Sequence, residues 1–177
     1  MVEEASYEVI RKVGQLELRH YPKLLVASVG DQDETDAFSI LFRFINGGND
    51  AGGKIPMTVP VLTNQDRGPI KIAMTAPVLI QGRRMSFIMP QKYTLETLPR
   101  PDEQGIVIEE LPEMDVAVLR FRGRARDSDV AERTEELLEL VRKEGLMATG
   151  RPWSMFYNSP FVPGVMRHNE VAVEVVR

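Results

Sequence analysis

Leu16-Glu17-Leu18-Arg19-His20-Tyr21-Pro22-Lys23-Leu24-Leu25-Val26-Ala27-Ser28-Val29 reads as two strands separated by a proline. Alternating apolar residues mark the first, and a largely apolar run marks the second. Ninety positions later Ile106-Val107-Ile108-Glu109-Glu110-Leu111-Pro112-Glu113-Met114-Asp115-Val116-Ala117-Val118-Leu119 follows the same plan, with Pro112, Val116 and Ala117 against Pro22, Val26 and Ala27. Each stretch leads into an amphipathic helix. Ala37, Ile40, Leu41, Phe44 and Ile45 keep the 3.6-residue period of the first, which Gly47-Gly48 ends. The second runs from about Ser128 to Glu144, with Val130, Thr134, Leu137, Leu138 and Val141 inward and Glu132, Glu136, Glu139 and Lys143 solvated. Asp129 and Glu132 resemble a capping box at its start. A hairpin, a helix and further strands, occurring twice, predict an α+β fold with an antiparallel sheet curved around a core and one long helix packed on each half.

The remaining strands fall at Tyr7–Val13, Met57–Thr63, Ile70–Ile80, Met85–Met89, Trp153–Tyr157 and Glu170–Val176, with turns at Asn64–Gly68 and Gln81-Gly82. With 177 residues and 43% hydrophobic content the chain is sized for one domain, residues 1–177, containing a pseudo-repeat of roughly 7–90 and 105–177. A net charge of -4 gives no general reason to bind nucleic acid or an anionic membrane. The absence of cysteine removes disulfides, thiolate nucleophiles and thiolate metal sites, and suits a reducing cytosol. The acidic start lacks a signal-peptide core and no apolar run is long enough to span a membrane, so a cytoplasmic location is expected.

A local repeat is the least ordinary feature. Lys54-Ile55-Pro56-Met57-Thr58-Val59-Pro60-Val61-Leu62 returns as Lys71-Ile72-Ala73-Met74-Thr75-Ala76-Pro77-Val78-Leu79. Alternation places Met57, Val59 and Val61 on one face, and Met74, Ala76 and Val78 on another. Methionine suits a surface that fits a flat aromatic ligand, although it also serves as plain core filler. Pro60 and Pro77 cannot donate to a ladder, so pairing should break beside them, at an edge or a bulge.

Ala37-Phe38, Phe44-Ile45-Asn46-Gly47-Gly48-Asn49, the doubled Lys-Ile-x-Met-Thr-x-Pro-Val, Met89-Pro90-Gln91-Lys92-Tyr93-Thr94-Leu95, Tyr157-Asn158-Ser159-Pro160-Phe161 and Arg167-His168-Asn169-Glu170-Val171 together resemble the SOUL haem-binding family, in particular its prokaryotic branch. The resemblance spans nearly the whole chain. It implies a distorted antiparallel β-barrel of two related strand-helix-strand halves, and an apolar cleft for haem or another porphyrin. It implies no established enzymatic reaction.

His20, on the apolar-facing parity of Leu16 and Leu18, resembles the Arg-His-Tyr histidine proposed as axial ligand in some relatives, and so is the candidate metal ligand. A hydrogen-bonded structural role is the competing reading. His168 is expected at an exposed turn without a metal role. Two propionates would need cations at the rim of the cleft, for which Arg43, Lys54, Lys71 and Arg167 are candidates. Phe38, Leu41 and Phe42 could form a planar wall, although Leu41 also fits the core stripe, and Met57 and Met74 are candidates to line the cleft.

No catalytic constellation is present: paired histidines, Gly-x-Ser-x-Gly and a phosphate loop are all missing, and adjacent Glu109 and Glu110 face opposite ways. The chain is therefore expected to bind a tetrapyrrole for transport, buffering or sensing rather than to act as an enzyme. Two other readings stay open. One is a gyrase-inhibitor-like effector module for flat or cationic apolar molecules; the other is a protein-interaction scaffold.

Overall fold

The computed structural model describes residues 3–30, 32–64, 69–71, 77–79, 84–158 and 162–177. The chain forms two compact units, each made from separate stretches: Lys23–Pro112 with the N-terminal residues to Ala5, and Ser6–Pro22 with Glu113–Arg177. The chain thus changes unit three times, after Ala5, Pro22 and Pro112.

In the first unit the strands are β1 (Glu3–Glu4), β4 (Leu24–Gly30), β5 (Thr58–Asn64), β8 (Arg84–Ile88) and β9 (Val107–Leu111), in sheet order β1-β5-β8-β4-β9. The pairs are antiparallel except β1 with β5, which is parallel. Against β4 and β8 lies α1 (Glu34–Ile45), which Asp33 caps by accepting the Asp36 amide at 2.8 Å. Ala37, Leu41, Phe44 and Ile45 form its buried stripe. The Gly48 amide donates to the Arg43 carbonyl at 2.9 Å, and a β-carbon at 48 would lie 2.7 Å from that oxygen, so only glycine closes the helix this way. Buried Asn49 then donates to the Phe44 and Gly53 carbonyls at 3.0 and 2.9 Å, which ties the following turn to the helix end.

The register between β5 and β8 shifts between Thr58 and Val61, around Pro60, where the missing amide predicts a break. The single strand expected at Ile70–Ile80 is instead a pair of short strands, β6 (Pro69–Lys71) and β7 (Pro77–Leu79), joined antiparallel. Met74 and the rest of 72–76 lie outside the described residues.

The second unit has the order β2-β3-β10-β12-β11, all antiparallel: β2 (Glu8–Val13), β3 (Leu16–Tyr21), β10 (Met114–Arg122), β11 (Met147–Phe156) and β12 (His168–Val176). One face of this sheet packs Leu16, Leu18, Ala117, Leu119, Phe121, Val171, Val173 and Val175 against Leu137 and Val141 of α2 (Asp127–Lys143). Leu138, expected in the inward stripe, is 37% exposed because it sits one position past the buried line. The α2 N-cap is Arg126, not Asp129; the Asp129 carboxylate reaches back to accept the Arg126 amide at 3.2 Å.

The α+β class and the antiparallel sheet agree with the sequence reading, whereas the closed barrel does not. Each unit's strand order is an open path, ending at β1 and β9 in one and at β2 and β11 in the other. Hydrophobic alternation fixes which face is buried, while closure depends on strand tilt and stagger, which alternation does not encode.

Candidate functional site

In the first unit the buried stripe of α1 leaves Phe38 and Phe42 on another side of the helix. Four residues apart, they stack with ring centroids 5.7 Å apart and an interplanar angle of 16°. The Phe38 ring meets Phe87 edge-on at 5.3 Å, which anchors it, while Phe42 is 45% exposed. Leu41 has no exposed surface and belongs to the core. The Arg43 guanidinium donates from Nε to Glu103 at 2.7 Å with both groups largely exposed, so this ion pair is exchangeable with other anions. Lys54 is exposed and Met57 half-buried just before β5. Lys71 falls on β6, where only the backbone is described. Of the residues proposed from sequence, the structure therefore gathers Phe38, Leu41, Phe42 and Arg43 on one helix and brings two of them into ring contact.

His20 belongs to the second unit, on β3, directly opposite Asp115 of β10 and Glu8 of β2. Its Nδ1 lies 2.8 Å from Asp115 Oδ1, and its Nε2 is 3.7 Å from a Glu113 oxygen. A carboxylate only accepts, so Nδ1 carries the proton and Nε2 the lone pair in the neutral ring. A carboxylate behind the far nitrogen is the arrangement that orients metal-bound histidines. The Asp115 hydrogen bond, reinforced by the charges of Asp115, Glu113 and Glu8, raises the His20 pKa. Two opposite pH dependences follow. Because the folded value is above the unfolded one, stability from His20 is fully present below the unfolded value near 6.5 and fades as pH rises through the folded one. Metal coordination through Nε2 would need the neutral ring, and so would weaken as pH falls through the same value. His20→Gln is therefore expected to lower the melting temperature more at about pH 5 than at about pH 9. An equal deficit at both would place the histidine's contribution outside its charge.

On the other face of β3 is a buried polar network that the sequence reading passed over. Arg19 is 1% and Glu170 0% exposed. Arg19 donates two parallel bonds to Glu170, Nη1 to Oε2 at 2.8 Å and Nη2 to Oε1 at 2.7 Å, and a third from Nε to Glu17 at 2.6 Å. Its Nη1 also reaches the Tyr21 hydroxyl at 3.0 Å, and its guanidinium carbon lies 4.1 Å from the centre of the Tyr7 ring. The Tyr157 hydroxyl donates to Glu170 at 2.7 Å, and the Tyr157 ring stacks on His168 at 4.6 Å. His168 is thus a half-buried strand residue, not the exposed turn residue expected, because β12 begins there and its side chain falls on the parity of Glu170. Burial alone would raise the Glu170 pKa, but the Arg19 hydrogen bonds and charge hold it below its ordinary value. Burial lowers the His168 pKa, with the Arg120 charge adding to it. Burial also pushes the Tyr21 hydroxyl up to about 12.

Beside this network a groove of about 390 Å³ is lined by Lys12, Glu17, Arg19, Val118, Arg120 and Arg122 among others. Among the described residues no cluster of three or more His, Asp or Glu is arranged to hold a metal ion, and no helix is long and apolar enough to cross a membrane.

Residues 2–174 match the family model described as SOUL heme-binding protein. The chain belongs to the SOUL haem-binding family. Among SOUL-related proteins, human Heme-binding protein 2 is 30% identical over 165 residues, which cover 89% of this chain and 77% of the human protein. Mouse Heme-binding protein 2 is 27% identical over 175 residues, covering 95% and 82%. Solved structures show that the SOUL chain shares its fold more widely. The EcmrR C-terminal domain superposes with a TM-score of 0.62 at 12% identity, covering 92% of this chain and 98% of that one. A structure titled as a hydrolase from Listeria innocua gives 0.60 at 14%, covering 94% of each. These last two likenesses concern the fold alone.

Proposed function

We propose that this SOUL protein binds haem or a related tetrapyrrole against the aromatic face of α1, for transport, buffering or sensing, and that it catalyses no reaction. The observation that carries the reading is the stacked Phe38–Phe42 pair. It is a planar apolar surface held from behind by Phe87 and left open at Phe42. Met57, Arg43 and Lys54 supply polarizable packing and cations from the same unit, as a macrocycle with two propionates requires. Membership of the SOUL family supports haem as the ligand. Bound haem would contribute a redox-active iron and a strong visible absorbance. His20 fits the role of axial ligand in its donor chemistry, through the Asp115-backed neutral ring, while the carboxylates around it do not form a slot for the macrocycle. We therefore treat the slot and the ligand as separable.

Titration with hemin and with metal-free protoporphyrin separates them. Phe42→Glu, at an exposed position, is expected to weaken both by about tenfold or more while leaving the far-UV circular dichroism unchanged. His20 is tested apart from the slot: if it ligates iron, His20→Ala removes the ligated-iron absorbance shift with hemin and leaves protoporphyrin binding intact. Unchanged binding in Phe42→Glu would overturn the slot, and an unchanged spectrum in His20→Ala would overturn the ligand. A module for cationic effectors would use a buried carboxylate; Arg19 neutralises Glu170, but Glu109 of β9 is buried too, so saturable porphyrin binding is what separates the two readings.

A further inference from the structure

The two most exposed large apolar side chains described in the molecule are neighbours, Val165 at 79% and Met166 at 70%. They sit on a 3-10 turn, Gly164–Met166, that follows Val162 and exposed Pro163. The turn is braced, with the Met166 amide donating to the Pro163 carbonyl at 2.9 Å and the Arg167 Nε donating to the Val162 carbonyl at 2.8 Å. It is also seated among cations. Arg124, Arg126 and Arg167 line, with Ala125, Val162, Pro163 and Gly164, a cavity of about 400 Å³ at its base. A methyl group at 164 would collide with the Arg124 side chain, so the glycine lets the arginine stem lie directly across the turn. Asp129, in the first turn of α2, has its carboxylate on the Arg126 backbone amide.

We propose that this corner of the second unit docks on an anionic lipid bilayer, Val165 and Met166 entering the interface while Arg124 and Arg126 meet the lipid phosphates. Both halves of the assignment are needed. An apolar tip this small gives only marginal partitioning, and isolated surface cations on a chain of net charge -4 gain little without it. Together they predict binding that is local, reversible and salt-sensitive. The inference is independent of tetrapyrrole binding.

The full chain is mixed with vesicles of phosphatidylcholine alone and with vesicles in which about one third is phosphatidylglycerol, and bound protein is measured by sedimentation. The expected result is binding to the anionic vesicles only, lost at high salt. Val165→Asp with Met166→Asp should weaken that binding at least about tenfold, and so should Arg124→Ala with Arg126→Ala, with unchanged circular dichroism in both. Equal binding to both vesicle types, or full binding by either double variant, would overturn the proposal. So would displacement by millimolar soluble glycerol phosphate, which would mark an anion pocket in place of a membrane surface.

Discussion

Glu170→Gln is expected to destabilise the chain by about 3–5 kcal/mol, read as a lower urea midpoint at unchanged slope. The reason is not the strength of the lost attraction but what is left behind. Arg19 remains 99% buried with its charge, keeping Glu17 but losing the bidentate carboxylate that faced two of its nitrogens. An arginine cannot release its proton to escape this, since Glu17 and the high intrinsic basicity hold it charged. Replacing both ends by apolar residues, Arg19→Met with Glu170→Met, should recover most of the loss, because neither charge then needs solvation. The acid limb of the stability curve supplies a second readout. Glu170 has a folded pKa below its ordinary 4.5, so its contribution is present above that value and disappears as pH falls through the lowered one; the glutamine variant lacks this step. A midpoint change worth less than about 1 kcal/mol would mean that solvent reaches the pair.

That network was out of reach of the sequence for a definable reason. Glu17, Arg19 and Tyr21 alternate with Leu16, Leu18 and His20, and alternation alone assigns the charged parity to water. What buries Arg19 is a partner 151 positions away, brought beside it by the β3–β10 and β10–β12 ladders, and no local pattern carries that distance. The nearest clue was Tyr21, two positions from Arg19 on the same strand parity. Local features fared better. Leu16–Tyr21 and Met114–Arg122 are strands with the bounds that their alternation gives, and Gly47-Gly48 closes α1 because a backbone contact there excludes a side chain.

The proposed duplication, 7–90 with 105–177, stands between these cases. Leu24 pairs opposite Leu111 in one unit and Tyr21 opposite Met114 in the other. Shifting 24 and 111 by the repeat offset of 90 in opposite senses gives 114 and 21, the register that two related halves would have. The compact units do not coincide with the sequence halves: the chain changes unit after Ala5, Pro22 and Pro112, the last two 90 positions apart.

Leu41→Ala is expected to cost about 2–5 kcal/mol, the range for truncating a leucine with no exposed surface, and to do so without a specific effect on porphyrin affinity. The comparison with Phe42→Glu isolates the two sides of one helix. Leu41 lies in the stripe with Ala37, Phe44 and Ile45 that holds α1 against β4 and β8, so its loss opens a cavity inside the first unit. Phe42, the next residue, is rotated about 100° around the helix and keeps 45% of its surface in solvent, so its replacement leaves that core filled. The sequence left Leu41 open between cleft wall and core stripe because Phe38 and Phe42 widen the apolar arc of α1 past the core stripe, and periodicity does not say which part of that arc is buried. Measured in urea, Leu41→Ala should shift the midpoint strongly and Phe42→Glu weakly; under native conditions, the order of their effects on hemin binding should reverse. If Leu41→Ala instead weakens hemin binding at temperatures where it is fully folded, the face that meets the ligand extends around the helix into the present core, and the slot must open to admit it.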